Sequence, residues 1–433
     1  MSKFQNGISY SKISFFIVLT HIAMLSTVWI RGEYEQILPV IILSAAVVVS
    51  DYIYFGIIKH FKQDTYTLDF FLVFILNMSV IFQSCFGEIS FNYKHFITTV
   101  IGFAVCQIGF KLVRNYAVIE SKKKYIYIAI AALMFVTVAF TGSRSMWIDF
   151  GFFTVQPSEF MKPLFALVCA TSLTAQQNKV KILGINIVPD NIVLFFMTGA
   201  IVALQWWCRD LGSLPTFCAA AFCAFILRIC YPQAKFSKKK AIFAGAAGVV
   251  LIIAAIKFAP SYVKDRLSVD IWADQSGNGY QQCKALIAIA QGGWFGKGPA
   301  HGNLCKVAAY DTDIVFSSIS EEWGLIMAIF AVMAIILMLI LVILNHPRSY
   351  YHSTLCVCIT AMLITQMALN IFGSCNMIPF TGVTIPFISN GGSSMVSSGF
   401  MIGMLKATQS PVYTLPPSKL LKKKNKKKGA DSK

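Results

Sequence analysis

Long apolar stretches recur along the whole chain and are separated by short polar segments. A helix that crosses a bilayer needs about 20 mostly apolar residues, and about twelve stretches approach that length. They cover residues 13–30, 37–57, 68–85, 95–113, 125–141, 158–175, 190–205, 211–230, 241–258, 323–345, 352–373 and 386–406. The pattern predicts an all-α polytopic membrane protein with about twelve transmembrane helices. One connection is long, because residues 260–320 form a polar loop between the ninth and tenth stretches.

The amino-acid composition agrees with a membrane protein and excludes several other classes. Of 433 residues, 56% are hydrophobic and 13% are charged, whereas soluble domains carry about 25% charged residues. The mean hydropathy is +0.66. These values exclude a soluble globular enzyme, a disordered chain and a disulfide-built secreted module. The 12 cysteines include no Cys-x-x-Cys pair, and most lie in apolar stretches, where cysteine serves as a small hydrophobic residue.

The formal net charge of +18 is distributed unevenly between the two sides of the predicted bundle. With the N-terminus in the cytoplasm, Lys and Arg accumulate in the cytoplasmic loops, and Asp and Glu accumulate on the other side. This predicts cytoplasmic N- and C-termini and places the loop 260–320 on the outer face. The Lys-rich tail, residues 409–433, is then a cytoplasmic segment near anionic lipid, with a protein or nucleic-acid site as the alternative. The overall charge distribution argues against a nucleic-acid partner.

Charged residues at the predicted outer membrane edge are candidates for function, because charge near the bilayer core is costly. Arg144 and Trp147 precede the sixth stretch, and Glu159 and Lys162 lie three residues apart on one helix face at its start. In a functional interpretation, Arg144 and Lys162 grip an anionic group such as pyrophosphate. The alternative is an interfacial Trp anchor beside a structural ion pair.

The long loop places carboxylates beside aromatic and glycine residues, namely Asp270, Trp272, Asp274 and Tyr280. This grouping suits a sugar site, in which a ring packs on the pyranose and a carboxylate takes a proton from a hydroxyl group. A capped turn with solvated acids is the alternative. Farther along, residues 378–394 contain two prolines and three glycines. Irregular backbone at membrane depth is tolerated beside a cavity, so this segment is predicted to line one.

Several short motifs follow one another in a distinctive order. They are residues 142–148, Gln-Pro-Ser-Glu-Phe-x-Lys at 156–162, Asp-Leu-Gly-Ser at 210–213, Gly-x-Gly-Tyr-Gln at 277–281, residues 287–298, Thr-Asp at 312–313, Glu-Glu-Trp-Gly at 321–324, and residues 381–394. In this order and spacing, the region from about Gly142 to Lys406 resembles the SEDS family (shape, elongation, division and sporulation). These are the FtsW/RodA/SpoVE-type membrane proteins of bacteria.

The resemblance implies a peptidoglycan glycosyltransferase that polymerises lipid II, an undecaprenyl-pyrophosphate-linked disaccharide peptide, on the outer face of the cytoplasmic membrane. It also implies a class B penicillin-binding transpeptidase as a partner within the lipid bilayer. The family core has ten helices, so twelve stretches imply two extra N-terminal helices within residues 1–141. The SEDS core then occupies residues 142–408 and the tail residues 409–433.

Site residues carry over from the family at matching positions. The essential aspartate falls on Asp274, five residues before Gly279-Tyr280-Gln281, and it is the expected general base; Asp270 is the second choice. The expected substrate-binding residues are Arg144, Trp147, Glu159, Lys162, Asp210, Tyr280, Gln281, Lys297, Asp313, Ser393 and Ser394. A divalent cation, Mg²⁺ or Mn²⁺, is left open as a cofactor, and no residues are assigned as metal ligands.

Three positions depart from the family pattern and put the fine positioning of substrate in question. Arg209 replaces the usual Pro, Asp311 the usual His and Asn390 the usual Tyr.

Two alternative functions stay open, a flippase for lipid-linked precursors and a non-catalytic scaffold for a penicillin-binding protein. A flippase needs a polar path to the cytoplasm, yet the charged motifs crowd the outer edge, and Asp51 is the one acid predicted in the inner half. Retention of Asp274 speaks against the scaffold.

Overall fold

The computed structural model describes residues 10–60, 66–140, 146–151, 154–174, 180–182, 185–187, 189–210, 212–230, 271–277, 279–345 and 349–410. The predicted ninth span, the Lys-rich tail, Arg144 and Asp270 lie outside these residues.

Helices dominate the described part of the chain. The α-helices are α1 (Tyr10–Arg31), α2 (Ile37–His60), α3 (Thr67–Gln83), α4 (Tyr93–Val113), α5 (Tyr116–Phe140), α6 (Pro157–Thr174), α7 (Pro189–Trp207), α8 (Ser213–Cys230), α9 (Tyr280–Gly292), α10 (Val315–Leu344), α11 (Tyr350–Ser374) and α12 (Gly392–Gln409). Two short 3₁₀-helices cover Tyr34–Gln36 and Leu304–Lys306. Two small antiparallel hairpins pair β1 (Ile148–Asp149) with β2 (Thr154–Val155) and β3 (Val180–Ile182) with β4 (Ile185–Ile187).

This architecture confirms the all-α polytopic membrane fold. Within the described residues, seven helices are long and apolar enough to cross a membrane: α1, α2 with the 3₁₀-turn before it, α4, α5, α7, α10 and α11. The apolar helices α3 and α8 are shorter, and α6 and α12 also coincide with predicted spans. The number of transmembrane helices stays a prediction, since the predicted ninth span is outside the described residues.

Two features of the long loop differ from the sequence prediction. The loop contains a helix, α9, and α10 begins at Val315 rather than at residue 323. Gly324 bends α10 with a positive φ of 87°, a conformation that glycine adopts without steric cost. The first turns of α10 were predicted as loop because they contain Glu321 and Glu322. Both are buried, since backbone N–H groups of the loop satisfy their carboxylates.

Helices α4 and α12 pack backbone against backbone. A Cβ on Gly399 would lie 2.6 Å from the carbonyl oxygen of Gly102, and a Cβ on Gly403 would overlap the carbonyl oxygen of Cys106. Small residues permit this approach, which provides the van der Waals contact that drives helix association in a bilayer. The pair fixes the start of α12 beside α4 at one end of the bundle.

The two ends of the bundle are formed by different elements. At one end α3 and α11 finish, α6, α8 and α12 begin, and α9 packs; we call this the outer end. At the opposite end, Arg114 donates to the carbonyl oxygen of Ser410 at 2.6 Å, and Lys123 pairs with Asp190 at 2.6 Å. Arg228 also lies over the Tyr350 ring at that end. Arg114, Lys123 and Arg228 thus lie opposite the outer end, and the sidedness of the chain stays a prediction.

Two buried acids lie away from the outer end. Asp51 accepts hydrogen bonds from Asn77 at 2.7 Å and lies 2.8 Å from His21 Nδ1, which joins α1, α2 and α3. Asp69 pairs with Lys406 and accepts a hydrogen bond from Tyr54 at 2.9 Å. The expectation that Asp51 is the one acid in this half is therefore wrong. Both carboxylates are buried among these partners, which is the packing role expected of paired charges inside a bundle.

Candidate active site at the outer end

Lys162 and Glu159 form a buried ion pair in the first turn of α6. Lys162 Nζ lies 2.6 Å from Glu159 Oε1 and donates to Gln366 Oε1 at 2.8 Å. Lys162 has no exposed surface, and Glu159 is 3% exposed. A carboxylate at a helix N-terminus is favoured by the helix dipole, so Glu159 is stabilised from both sides. The ammonium group is enclosed by protein in this arrangement.

Gln366 extends this pair to two further elements. Its Nε2 lies 3.1 Å from Thr384 Oγ1 and 3.2 Å from Ser394 Oγ. The Thr384 hydroxyl donates to Ser394 Oγ at 2.9 Å. The irregular segment 378–391 and the start of α12 are thereby joined to α6 and α11 through side chains.

Asp210 holds the turn between α7 and α8. Its Oδ1 accepts from the N–H groups of Gly212 and Ser213 at 3.1 and 3.0 Å, which caps the start of α8. Its Oδ2 accepts from the Ser213 hydroxyl at 2.8 Å and from Gln156 Nε2 at 3.0 Å. The backbone N–H of Gln156 in turn donates to Ser393 Oγ at 3.4 Å. Asp210 and Ser393 therefore both contact the residue that precedes α6.

Asp313 lies on the other side of the segment 381–383. Asn370 Nδ2 donates to the carbonyl oxygens of Asp313 and Val383, at 2.8 and 2.5 Å. The Asp313 carboxylate faces Gly382, where a Cβ would lie 3.1 Å from Oδ2. Burial raises the pKa of Asp313, and the nearby charge of Asp311 adds to this shift. A carboxyl group with a raised pKa at a polar cluster is a candidate for proton transfer or ligand binding.

Asp274 is half-buried in the tight turn before α9. Its carboxylate lies directly against Gly277, where any Cβ would overlap Oδ1. The turn is joined to α9 by the Tyr280 N–H, which donates to the carbonyl oxygen of Gly277 at 3.1 Å. Helix α9 is anchored in turn, because Gln282 Nε2 donates to the carbonyl oxygen of Gly373 at 2.8 Å and Gln281 Nε2 to that of Ala308 at 3.0 Å. Gln281, one of the predicted site residues, therefore has a hydrogen-bond partner within the protein.

A small hydrophobic core connects α9, the helix that follows the Asp274 turn, with the Asp313 turn. It consists of Ala285, Ala288, Leu304, Val307 and Ile314, with Tyr310 and Phe380 packed against it. Ile314 follows Asp313, and Phe380 precedes the segment 381–383. Helix α9, directly after the Asp274 turn, and the turn that carries Asp313 therefore belong to one packed unit.

The aromatic candidates lie at the surface of the outer end. Trp147 and Tyr280 are exposed, as is Trp272 beside Asp274. The Lys284 ammonium lies 5.7 Å from the Tyr280 ring centre. Exposed rings of this kind provide flat apolar faces at a polar site.

Lys297 and the two adjacent glutamates have structural partners. Lys297 Nζ lies 2.5 Å from Glu321 Oε1, and Glu321 also accepts from backbone N–H groups of Asn303 and Leu304. Glu322 accepts from the N–H groups of Gly87, Ala300 and Gly302. Among the described residues, no group of three His, Cys, Asp or Glu side chains is arranged to hold a metal ion. The Mg²⁺ or Mn²⁺ expectation stays a prediction.

Several buried polar atoms at the outer end have no protein hydrogen-bond partner. They are Ser158 Oγ, Glu159 Oε2, Thr381 Oγ1 and both amide atoms of Gln205. Buried polar atoms are nearly always satisfied by protein, water or ligand. These atoms can therefore serve polar groups of a ligand or of bound water.

Hydrogen bonds link Lys162 and Ser394 through Gln366, and Asp210 and Ser393 through Gln156, but sequence reasoning missed these connecting residues. Gln366 and Asn370 link α11 to three predicted residues, Lys162, Ser394 and Asp313. Their signal was present, because two amides four residues apart share one face of an otherwise apolar helix. Gln156 and Thr384, which lie inside recognised motifs, were not assigned. Arg144 lies outside the described residues.

Comparisons with known proteins agree on one family. The family model FTSW_RODA_SPOVE, described as "Cell cycle protein", matches residues 61–412. The probable peptidoglycan glycosyltransferase FtsW of Pseudomonas fluorescens (strain SBW25) is 31% identical over 273 residues, which are 60% of this chain and 63% of that protein. Stage V sporulation protein E of Bacillus subtilis (strain 168) is 30% identical over 270 residues, 61% of this chain and 70% of that protein.

Solved structures show the same fold. A chain of a peptidoglycan synthase complex superposes with a TM-score of 0.60 at 17% identity, covering 80% of this chain and 97% of that chain. The rod shape determining protein RodA of Thermus thermophilus superposes with a TM-score of 0.54 at 18% identity, covering 80% and 96%. At these identities the similarity establishes the fold alone.

Proposed function

The chain belongs to the FtsW/RodA/SpoVE family, and from this premise we propose that it is a peptidoglycan glycosyltransferase that polymerises lipid II. Relatives in the family are named peptidoglycan glycosyltransferases. The observation that carries the proposal is the packed unit at the outer end, in which α9, directly after the half-buried Asp274, packs against the Asp313 turn and bonds to α11. Helix α11 also carries Gln366, which belongs to the polar cluster built on α6, α8, α11 and α12. A glycosyl transfer needs a base and an anion-stabilising surface in one place.

Asp274 is the proposed general base. It takes the proton of the acceptor sugar hydroxyl as that oxygen attacks the anomeric carbon of the donor, and the lipid pyrophosphate leaves with the electron pair of the broken bond. The carboxylate lies in a turn fixed by α9, so its position needs little reorganisation during the reaction. The exposed Trp272 and Tyr280 rings beside it suit a pyranose face.

The proposed anion site uses two basic residues of the recognised motifs. Arg144 and Lys162 are assigned to the pyrophosphate, as the motif resemblance implies. Lys162 is enclosed by Glu159 and Gln366, so its charge acts on the site from within the protein, and direct contact requires a change in that enclosure. Ser158 and Thr381 offer buried oxygens without a protein partner. The remaining assigned contacts are Trp147, Asp210, Gln281, Lys297, Asp313, Ser393 and Ser394.

The chain is a multi-pass membrane protein, and we propose that it lies in the cytoplasmic membrane with both termini in the cytoplasm. The outer end then faces the outer side, where the lipid-linked substrate is presented. The basic residues at the opposite end support this orientation. A class B penicillin-binding transpeptidase is the proposed partner, since one structural neighbour is part of a peptidoglycan synthase complex.

We also propose that α1 and α2 are an addition to a ten-helix core. The family match begins at residue 61, immediately after α2. The two helices are attached to α3 by the buried contacts of Asp51 with His21 and Asn77. The core then extends to about residue 408 and is followed by the basic tail.

The flippase alternative requires a polar path across the bundle. Asp51 and Asp69 are candidates for such a path, but each is buried among its own partners on neighbouring helices. The scaffold alternative leaves the unit around Asp274 without a use. Neither alternative is favoured by a specific observation.

The test uses the purified full chain with its cognate transpeptidase in proteoliposomes. Labelled lipid II is supplied, and both glycan products and lipid II movement between leaflets are measured. The proposal expects glycan strands without leaflet movement. Movement without strands would establish the flippase, and neither activity together with support of the transpeptidase would establish the scaffold.

A further inference from the structure

Two of the three departures from the family pattern contact each other. Asn390 Nδ2 donates to Asp311 Oδ2 at 2.9 Å, and the backbone N–H of Asn390 donates to the carbonyl oxygen of Asp311 at 2.9 Å. The two residues are 79 positions apart in sequence. A carboxylate that accepts from an amide in a partly buried site forms a charge-assisted hydrogen bond, which is stronger than a neutral one.

The same turn is held from several other elements. Gln83 Nε2, at the end of α3, donates to the carbonyl oxygen of Asp311 at 2.9 Å. The Ser389 hydroxyl donates to the carbonyl oxygen of Thr312 at 2.7 Å. Asn370 holds the next carbonyl oxygen, that of Asp313. Within the described residues, Asp311 is the only member of this turn whose side chain pairs directly with the segment 388–390.

We propose that Asp311 and Asn390 form a positioning pair that holds the Asp313 carboxylate against Gly382 in the orientation that glycosyl transfer requires. The inference rests on the proposed function. Asp313 is two residues from Asp311, so a rotation of the turn moves its carboxylate away from the segment 381–383. The hydrogen bonds to the backbone carbonyl oxygens fix the distance of the turn from the neighbouring elements. The side-chain pair fixes the rotation of the turn about the chain direction. Neither member of the pair touches substrate in this proposal.

The pair predicts a specific pattern of mutational effects. Asp311→Ala and Asn390→Ala each remove the same bond, so the double variant should be no worse than either single variant. Asn390→Asp places a second carboxylate against Asp311 and should be the most damaging single change. The exchange Asp311→Asn with Asn390→Asp restores a donor opposite a carboxylate and should recover function. Lys306→Ala is the matched control, since Lys306 is exposed on the same loop and its ammonium group donates to Asn303 Oδ1 at 3.3 Å.

Two measurements are made on the purified full chain in proteoliposomes. Lipid II polymerisation gives kcat and KM, and hydrogen–deuterium exchange gives the protection of residues 312–314, whose N–H groups bond to the carbonyl oxygen of Ala309. We expect each alanine variant and the double variant to lower kcat about tenfold, with KM changed less than about twofold. Exchange of 312–314 should rise equally in these three variants. The variant Asp311→Asn with Asn390→Asp should return kcat to within about threefold of the wild type.

A double alanine variant in which the two single effects multiply, so that kcat falls about a hundredfold, would overturn the pair. The variant Asp311→Asn with Asn390→Asp would also overturn it if it recovered neither kcat nor hydrogen-exchange protection. Unchanged protection in both single variants would overturn it as well. A wild-type chain that makes no glycan would instead overturn the proposed function. The exchange measurement would still decide whether Asp311 and Asn390 fix the turn, because it needs no substrate.

Discussion

The Lys162–Glu159 pair allows a decisive test of what a buried lysine does at this site. In Lys162→Met, Glu159 Oε1 loses the ammonium group, and Glu159 Oε2 already has no protein partner. A carboxylate that is 3% exposed would then lack a cation altogether. Removal of one member of a buried ion pair costs about 3–5 kcal/mol. A neutral interhelical hydrogen bond in a membrane averages only about 0.6 kcal/mol, so the loss of a buried ion pair and the loss of a neutral hydrogen bond differ measurably in unfolding free energy.

The assay is equilibrium unfolding of the protein in mixed micelles by increasing SDS, followed by circular dichroism. Lys162→Met should lower the unfolding free energy by about 3 kcal/mol or more, and Glu159→Gln combined with Lys162→Met should recover most of it, to within about 1 kcal/mol of the wild type. If Lys162→Met were as stable as the wild type, the reasoning would be refuted. The buried carboxylate of Glu159 would then not depend on the Lys162 ammonium group.

Three further predictions follow from particular contacts. Gly403→Ala places a Cβ onto the Cys106 carbonyl oxygen and should lower the unfolding free energy by about 1–3 kcal/mol. Gly199→Ala is the control, because a Cβ there has nothing within 4 Å and should leave the unfolding free energy unchanged. SDS unfolding compares the two variants. Burial raises the pKa of Asp313 above 3.8, so the folded state binds the carboxyl proton more tightly than the unfolded state. The folded state therefore loses stability as pH rises through the raised pKa. Asp313→Asn should be more stable than the wild type at pH 8 and show no such gain at pH 4. Glu322→Ala strands the N–H groups of Gly87, Ala300 and Gly302, so hydrogen exchange of residues 298–304 should accelerate while that of α4 stays unchanged.

The helices were predictable because their signal is local. A run of about 20 apolar residues is visible in sequence, and eleven of the twelve predicted stretches coincide with described helices. Helix α9 was missed because it is short and lies in a polar loop, and contacts with distant residues stabilise it, such as the packing of Ala285 and Ala288 against Leu304 and Ile314. The early start of α10 was missed because its buried glutamates are satisfied by distant backbone groups.

The site was predictable as a set of residues and not as an arrangement. Motif order identified Asp210, Lys162 and Ser394, yet the side chains that connect them depend on contacts across more than 200 positions, such as Lys162 with Gln366. The pairing of Asp69 with Lys406 is another such contact. Charge counting along the chain reports sidedness, but it cannot report which charges meet inside the bundle.

The most direct test of the central claim is the rate of lipid II polymerisation by Asp274→Asn beside the wild type and Asp149→Asn. Asp149 is an exposed carboxylate on β1 that accepts from the Gly151 N–H at 2.7 Å, and it is the matched control. We expect glycan strands from the wild type and from Asp149→Asn, and none from Asp274→Asn with unfolding unchanged. Strand formation by Asp274→Asn at the wild-type rate would contradict the assignment of the base.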